Sequence, residues 1–458
     1  MAPGTSSILT ALEASTAETT TTLLTPSSPD FDAIALCYVR RPEAVPFAIA
    51  RPSNAEAVAA LIKFCVAHSL DFVIRSGGHD SAGRSQVAGA LMIDMRLINS
   101  VSVSSDKKTA TIGGGALLRD VAETLSAQEL VTPGGTIGTV GYVGWATLGG
   151  YGPMSANFGL GCDQIVAAKL VTAEGKLIEA DEELLKAVRG AAPTFGVVVE
   201  VTVKVYPLKE VLSGIVIYES SNFESTVTQW TNGLNKLLEA GLPPALGVML
   251  SVMDIPQMGR VFFSVFMWSS PDQNEGRQWA EKIASLGPAI LNTIAPTSVA
   301  GFLKANDMLA PYGSYGQNNT VNVRGLTSKV VETITKHTSE LPGGGAFFAG
   351  HLVRGSSAQP TDKSVFSPRS NHIMLELLSV TTVQDLVGKC NAWASTLKKD
   401  ILENASDDVI GAGYISLLPA GESDWSRIYG ENYQLLLDLK RKYDPTNVFK
   451  TSLPKLIV

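Results

Sequence analysis

Arg75-Ser76-Gly77-Gly78-His79 follows directly on the apolar run Phe72-Val73-Ile74, and it joins a cradle for an anion to a nucleophilic ring. Adjacent glycines at a strand end let backbone N–H groups converge on a phosphate, because no Cβ blocks the approach. Arg75 adds a fixed positive charge. His79 can serve as a base, a ligand or a nucleophile through its neutral imidazole, although a histidine closing a surface turn satisfies the same residues. The stretch from Gly134 to Gly161 is dense in glycine, with Gly138, Gly141, Gly144, Gly149 and Gly150 interleaved with Ile137, Val140, Val143 and Trp145. A flexible linker would be more polar, so this pattern points to backbone lying close against a ligand.

Fewer residues suggest themselves for proton transfer. Glu376 interrupts the apolar run Ile373-Met374-Leu375-Glu376-Leu377-Leu378, where a carboxylate is catalytic, paired with a cation such as Arg369, or on the wet face of a strand. Tyr151 and Tyr414 can exchange a proton if a partner lowers their pKa, and otherwise serve as structural hydrogen-bonding groups. His351 and His372 are further polar groups for a pocket, with a structural role the plainer reading. The histidines show no paired ligand spacing and Cys37, Cys65, Cys162 and Cys390 are scattered, so no metal site is expected.

These groups sit in a chain of 458 residues, 45% hydrophobic and 17% charged, long enough for more than one buried core. A net charge of −7 with no basic stripe argues against a nucleic-acid partner. Apolar runs such as Val261–Trp268 are too short to span a membrane. The Ser- and Thr-rich stretch 1–29 lacks the pattern of a secretory signal and reads as a loose lead-in, with a cytoplasmic location favoured.

The elements alternate. Ser53-Asn54-Ala55-Glu56 has the spacing of a helix-capping box, and Val58, Leu61, Ile62 and Cys65 follow at helical intervals. Strands are expected at 72–74, 90–94 and 109–112, then a helix bearing Leu118, Val121, Ala122 and Leu125, a hairpin over 164–178, and an alternating strand over 197–205. Long apolar strands over 246–252, 260–268 and 373–380 mark a second region, with a helix over 270–286 capped by Ser270. A final helix over 429–442 stops at Asp444-Pro445.

Taken in order, Arg75-Ser76-Gly77-Gly78-His79, Gly113-Gly114-Gly115, Thr139-Val140-Gly141, Gly149-Gly150-Tyr151-Gly152, Ala187-Val188-Arg189-Gly190, Phe195-Gly196-Val197-Val198 and Tyr443-Asp444-Pro445-Thr446-Asn447-Val448-Phe449 resemble the flavin-linked oxidases of the vanillyl-alcohol-oxidase type, in their berberine-bridge-enzyme-like branch. The resemblance implies an α+β fold: a two-subdomain FAD-binding domain of the PCMH type over 30–207, a substrate domain inserted over 208–410 with an antiparallel sheet flanked by helices, and a C-terminal segment, 411–458, completing the FAD domain. It implies that Ser76 to His79, together with Arg75, Gly138, Thr139, Gly141, Tyr142, Gly144, Gly149, Gly150, Val197 and Asn447, hold FAD. His79 would be the covalent attachment point, the substrate a small, largely apolar alcohol, amine or N-alkyl compound, and O2 the acceptor. Where many relatives place a second flavin-linked cysteine this chain has Ile137, so a single tether is expected. Tyr142 stands where the family places a small residue beside the flavin, and the family's Tyr-x-Asn-Tyr motif survives only as Tyr414-Ile415-Ser416-Leu417. Both departures leave room for a flavin-bearing cyclase or isomerase, or a non-catalytic flavoprotein. No Gly-x-Gly-x-x-Gly joins a strand to a helix, which disfavours a nicotinamide dehydrogenase.

Overall fold

The strand Val197–Lys204 is apolar at alternate positions, buries Val197, Val199, Val201 and Val203, and lies at the centre of a five-stranded sheet. Its neighbours are Thr109–Gly113 on one side and Ile165–Val171 on the other, with Val101–Val103 and Leu177–Glu179 at the edges, all antiparallel. A four-stranded sheet lies against it, in the order Thr21–Leu24, Ala48–Pro52, Leu91–Asp94, Phe72–Arg75. Its inner strands pair in parallel, as a strand–helix–strand connection through Ala55–Ala67 requires. One apolar core joins the two sheets, with Val197 and Val199 meeting Ala48, Leu91 and Ile93.

This computed structural model describes residues 3–411, 413–419, 421 and 423–458. The intervening region builds a nine-stranded sheet. Reading across, Ala289–Asn292, Val211–Tyr218, Gly259–Trp268, Leu246–Ile255, Phe347–Val353, His372–Leu378, Asn318–Val323 and Val409–Ile410 follow one another, and Ala295–Thr297 pairs at the edge. Helices Phe223–Ala240, Gln273–Ala284, Ser328–Ser339 and Val387–Asn404 cover one face through Trp230, Ile283, Ile334 and Leu397. The other face is turned to the glycine-rich segment, where a Cβ on Gly247 would stand 2.2 Å from the Pro153 carbonyl oxygen. The fold is therefore the expected α+β arrangement. The helix Tyr433–Tyr443 packs through Leu436 and Leu439 into a second core of the five-stranded sheet, with Ile112, Ile165 and Val201, and Phe449 meets Phe72 edge-on at 5.9 Å. Among the described residues no helix is long and apolar enough to cross a membrane.

Three local expectations are corrected. Met1 and Ala2 lie outside the described residues, but the rest of the stretch 1–29 is no loose lead-in. It holds the helix Pro3–Ala17, whose Leu12 is fully buried, and the edge strand Thr21–Leu24 on Ala48–Pro52. The apolar residues Leu12, Leu9 and Ile8, spaced for one helical face, outweigh the surrounding Ser and Thr. The helix Ala55–Ala67 is capped by Asn54, whose side-chain Oδ1 accepts from Ala57 N, and not by Ser53. Likewise Asp272, accepting from the Asn274 and Glu275 amides, starts its helix at Gln273 and displaces Ser270 from that role. A carboxylate at the cap gains from the helix dipole as well as the hydrogen bonds.

Candidate active site

The parallel strands Phe72–Arg75 and Leu91–Asp94 end together and deliver Ser76–His79 to the surface of the first unit. The loop meets the segment 138–141 glycine to glycine. A Cβ on Gly77 would lie 2.3 Å from Gly141 N, and one on Gly141 would lie 2.4 Å from Ser76 Oγ, so neither position accepts a side chain. Gly78 takes φ +71, a left-handed backbone suited to glycine. His79 is half-buried at this junction, and its Nε2 is 2.8 Å from Thr139 Oγ1. Its ring stacks on Tyr38 at 4.9 Å and 17°, and meets Tyr312 edge-on at 5.4 Å. Burial, with Arg75 nearby, pushes the imidazole down to about 3, so it is neutral at physiological pH.

Arg75 does not point toward a phosphate on the open side of the loop. It is buried beneath it, donating to the Ile34 and Leu36 carbonyls at 2.9 and 3.0 Å with Asp94 3.7 Å away. A buried guanidinium must find acceptors, and the backbone of 34–36 and Asp94 supply them. The charge braces the cradle from below. Val197 is equally withdrawn: its side chain lies in the core between the sheets and its backbone pairs with Val171. Asn447 is exposed with φ +54, in the turn that Asp444 organises by accepting from the Val448 and Phe449 amides. Gly144 is exposed, with open space where a Cβ would stand. Gly149 and Gly150 both have positive φ, and a Cβ would strike Phe366 or Gly161. Tyr142 is fully buried. Its ring lies beside Trp145, over a small internal cavity lined by Leu118, Leu125, Val131 and Leu303, so it is core and not bulk in the cleft.

On the facing sheet, register places Thr320, Glu376, Ala349, Ser251 and Phe263 in one row across adjacent strands, pointing to the same side. Glu376 Oε2 is 2.9 Å from His351 Nε2, and the His351 ring meets Tyr151 edge-on at 4.9 Å. Burial raises the Tyr38 and Tyr151 phenols, and the Glu376 charge adds to it. Arg369, the cation weighed for Glu376, is instead bound to Asp163 at 2.7 Å. Tyr414 OH accepts from the Gly150 and Tyr151 amides at 2.9 and 3.1 Å, and burial pushes its pKa up to about 12. It is an anchor for the glycine-rich segment rather than a base. His372 Nδ1 engages the Ser370 carbonyl, and its ring borders a small cavity with Tyr151, Met374 and Tyr414.

The residues fit a flavin. Ser76 Oγ, Ser251 Oγ, Thr320 Oγ1 and Asn318 Oδ1 are buried without hydrogen-bond partners, as groups awaiting a polar ligand would be. The glycine contacts leave backbone, not side chains, lining the loops. Sequence motifs missed three contributors. Tyr38 and Tyr312 enclose His79, and Asp307 Oδ1 accepts from Gly138 N at 2.7 Å. Ile137 packs against Tyr38 and Val39. His351 was identifiable as a polar residue, but only the pairing of its strand with that of Glu376 reveals its partner.

Comparison with known proteins gives two family matches: an FAD binding domain over residues 46–181, and the berberine and berberine-like family over 405–454. The FAD-linked oxidoreductase aurO of Gibberella zeae is 30% identical over 433 residues, 93% of this chain and 84% of that one. The (R)-6-hydroxynicotine oxidase of Paenarthrobacter nicotinovorans is 35% identical over 221 residues, 47% of this chain and 48% of its own. The crystal structure of 6-hydroxy-D-nicotine oxidase from Arthrobacter nicotinovorans superposes with a TM-score of 0.83 at 23% identity, covering 96% of this chain and 98% of that one.

Proposed function

The chain belongs to the berberine-bridge-enzyme-like FAD-linked oxidoreductases, and from that premise we propose that it removes two electrons and two hydrogens from a small organic alcohol or amine. FAD, when bound, supplies a ring that accepts a hydride. The chain does the rest. The Ser76–His79 and Gly138–Gly141 loops hold the cofactor through backbone groups, with Ser76 Oγ free to donate. His79 is the attachment point, through Nδ1, since Nε2 is engaged by Thr139.

Glu376 takes the proton from the substrate hydroxyl or amine as the neighbouring C–H is lost, and His351 holds the carboxylate in place. Tyr151 keeps its proton, because burial and the Glu376 charge both raise it, and its hydroxyl donates to the Leu352 carbonyl at 3.4 Å, which makes it a wall of the site and not a base. The apolar body of the substrate lies on the same sheet face, along Phe263, Val261, Met253 and Phe347. A polar end at Glu376 and an apolar end at Phe263 describe an aryl or alicyclic alcohol or amine. Dioxygen is the proposed acceptor. Ring closure without net oxidation rested on Tyr142 and on the altered motif at Tyr414; Tyr142 turns into the core, which removes the first of these two motives.

The observation that carries this reading is the Glu376–His351 pair on the sheet face turned toward the glycine loops. Anaerobic mixing with a panel of aryl alcohols and cyclic amines tests it: a substrate bleaches the flavin, and air restores the colour with one peroxide per turnover. Product formation without bleaching would overturn it.

A further inference from the structure

We propose that Thr139 and Tyr312 are positioning residues for attachment of the flavin to His79, so that a residue of the sheet-bearing region helps to set the geometry in which the tether forms. The inference rests on the covalent reading above. Tyr312 belongs to the segment between the helix Val299–Asn306 and the strand Asn318–Val323, far along the chain from both loops. Its hydroxyl donates to Gly77 O at 2.5 Å and lies 3.3 Å from Thr139 O, so one phenol ties the two loops together. Five residues earlier, Asp307 takes the Gly138 amide. The backbone just after Tyr312 is laced to the segment 37–40, whose Tyr38 covers His79: Gly313 N and Ser314 N donate to the Cys37 and Tyr38 carbonyls, and Arg40 N donates to Ser314 O.

The imidazole is thereby held on three sides. Tyr38 covers one face, the edge of Tyr312 closes another, and Thr139 fixes Nε2. Nδ1 has no hydrogen-bond partner among the described residues and is the nitrogen left to react. Attachment joins Nδ1 to the flavin methyl carbon. One hydrogen leaves that carbon, one leaves the imidazole at Nε2, and the electron pair passes through the flavin to dioxygen, which departs as hydrogen peroxide. The Thr139 hydroxyl suits both ends of this change. It accepts from Nε2–H before the bond forms and donates to the bare Nε2 afterwards, which serine can also do and valine cannot.

The test follows attachment and not turnover. Full-length protein carrying Thr139→Val, Thr139→Ser or Tyr312→Phe is incubated in air with excess FAD, aliquots are acid-precipitated, and flavin fluorescence is read in the precipitated chain. FAD binding is measured in parallel by fluorescence quenching. With FAD saturating for each variant, the attachment rate should slow by about tenfold or more in Thr139→Val and Tyr312→Phe, the kinetic worth of one positioned hydrogen bond, while Thr139→Ser stays within about threefold of wild type. Wild-type rates in Thr139→Val and Tyr312→Phe would overturn the inference and leave the tether intact. Slowing that disappears once FAD is saturating would overturn it too, by reducing both residues to a role in binding alone. Release of flavin from the wild type would remove the covalent reading and this inference together.

Discussion

Glu376→Gln separates proton transfer from every other duty of its site. The side chain is isosteric, and its amide oxygen can still accept from His351 Nε2, so the 2.9 Å contact and the strand pairing survive. What disappears is the base. A positioned base contributes about 10² to 10⁴ in rate, or roughly 2.7 to 5.4 kcal/mol at 1.36 kcal/mol per decade. The Glu376 side chain is 19% exposed, so water can reach the site and take over part of the task, which places the expected loss near the lower end, about 10² to 10³. His351→Phe keeps a ring against Tyr151 but removes the hydrogen bond that aims the carboxylate, and should cost about tenfold. The assay is anaerobic rapid mixing with the best alcohol or amine from the panel, following flavin bleaching against substrate concentration. The limiting rate should fall while the half-saturating concentration stays within about threefold, because the apolar wall along Phe263 is untouched. An unchanged limiting rate in Glu376→Gln would refute the assignment.

Four further outcomes are expected. Gly77→Ala pushes a methyl to 2.3 Å from Gly141 N and 2.6 Å from Thr139 O, both backbone, so the loops must part; thermal unfolding should show a loss of about 1–3 kcal/mol, with FAD content falling alongside. Attachment of flavin should be level between pH 8 and 5, since His79 has been pushed down to about 3 and stays neutral throughout, whereas an ordinary imidazole near 6.5 would lose about thirtyfold by pH 5. Tyr414→Phe strips the acceptor from the Gly150 and Tyr151 amides and should cost about 1–3 kcal/mol in denaturant melts, with the pH profile of turnover unmoved. Arg369→Met leaves Asp163 without the partner at 2.7 Å that ties the segment 362–371 to the first unit, and should cost about 3 kcal/mol by the same measurement.

What the sequence reveals and what it hides divide along contact range. The glycine loops and His79 are legible because their chemistry is local: a strand end, a left-handed glycine and a nucleophile lie within a few residues. The helical and strand periodicities around Leu118–Ser126 and Val197–Lys204 are equally local. Tyr38, Asp307 and Tyr312 carry no such signal, since each reaches the loops only through pairings such as Val39 with Ser314 that close long stretches of chain. Arg75 misleads for the same reason. Its sequence neighbours suggest a phosphate, while Ile34, Leu36 and Asp94, all distant in sequence, take its donors. Tyr142 is read as bulk in a cleft until the helix Leu118–Ser126 and the residue Leu303 show where its ring is buried. The N-terminal helix is hidden by composition: Ser and Thr dominate it, and only Leu12 at zero exposure shows that one face is needed.

The claim on which the account turns is that a flavin is bonded to His79 and to no other residue. Acid precipitation of purified wild-type protein and of His79→Ala, followed by the visible spectrum of pellet and supernatant, tests it most directly. The account predicts yellow wild-type pellets with a colourless supernatant, and the reverse for His79→Ala. Colour retained in the His79→Ala pellet, or flavin released by the wild type, would contradict it.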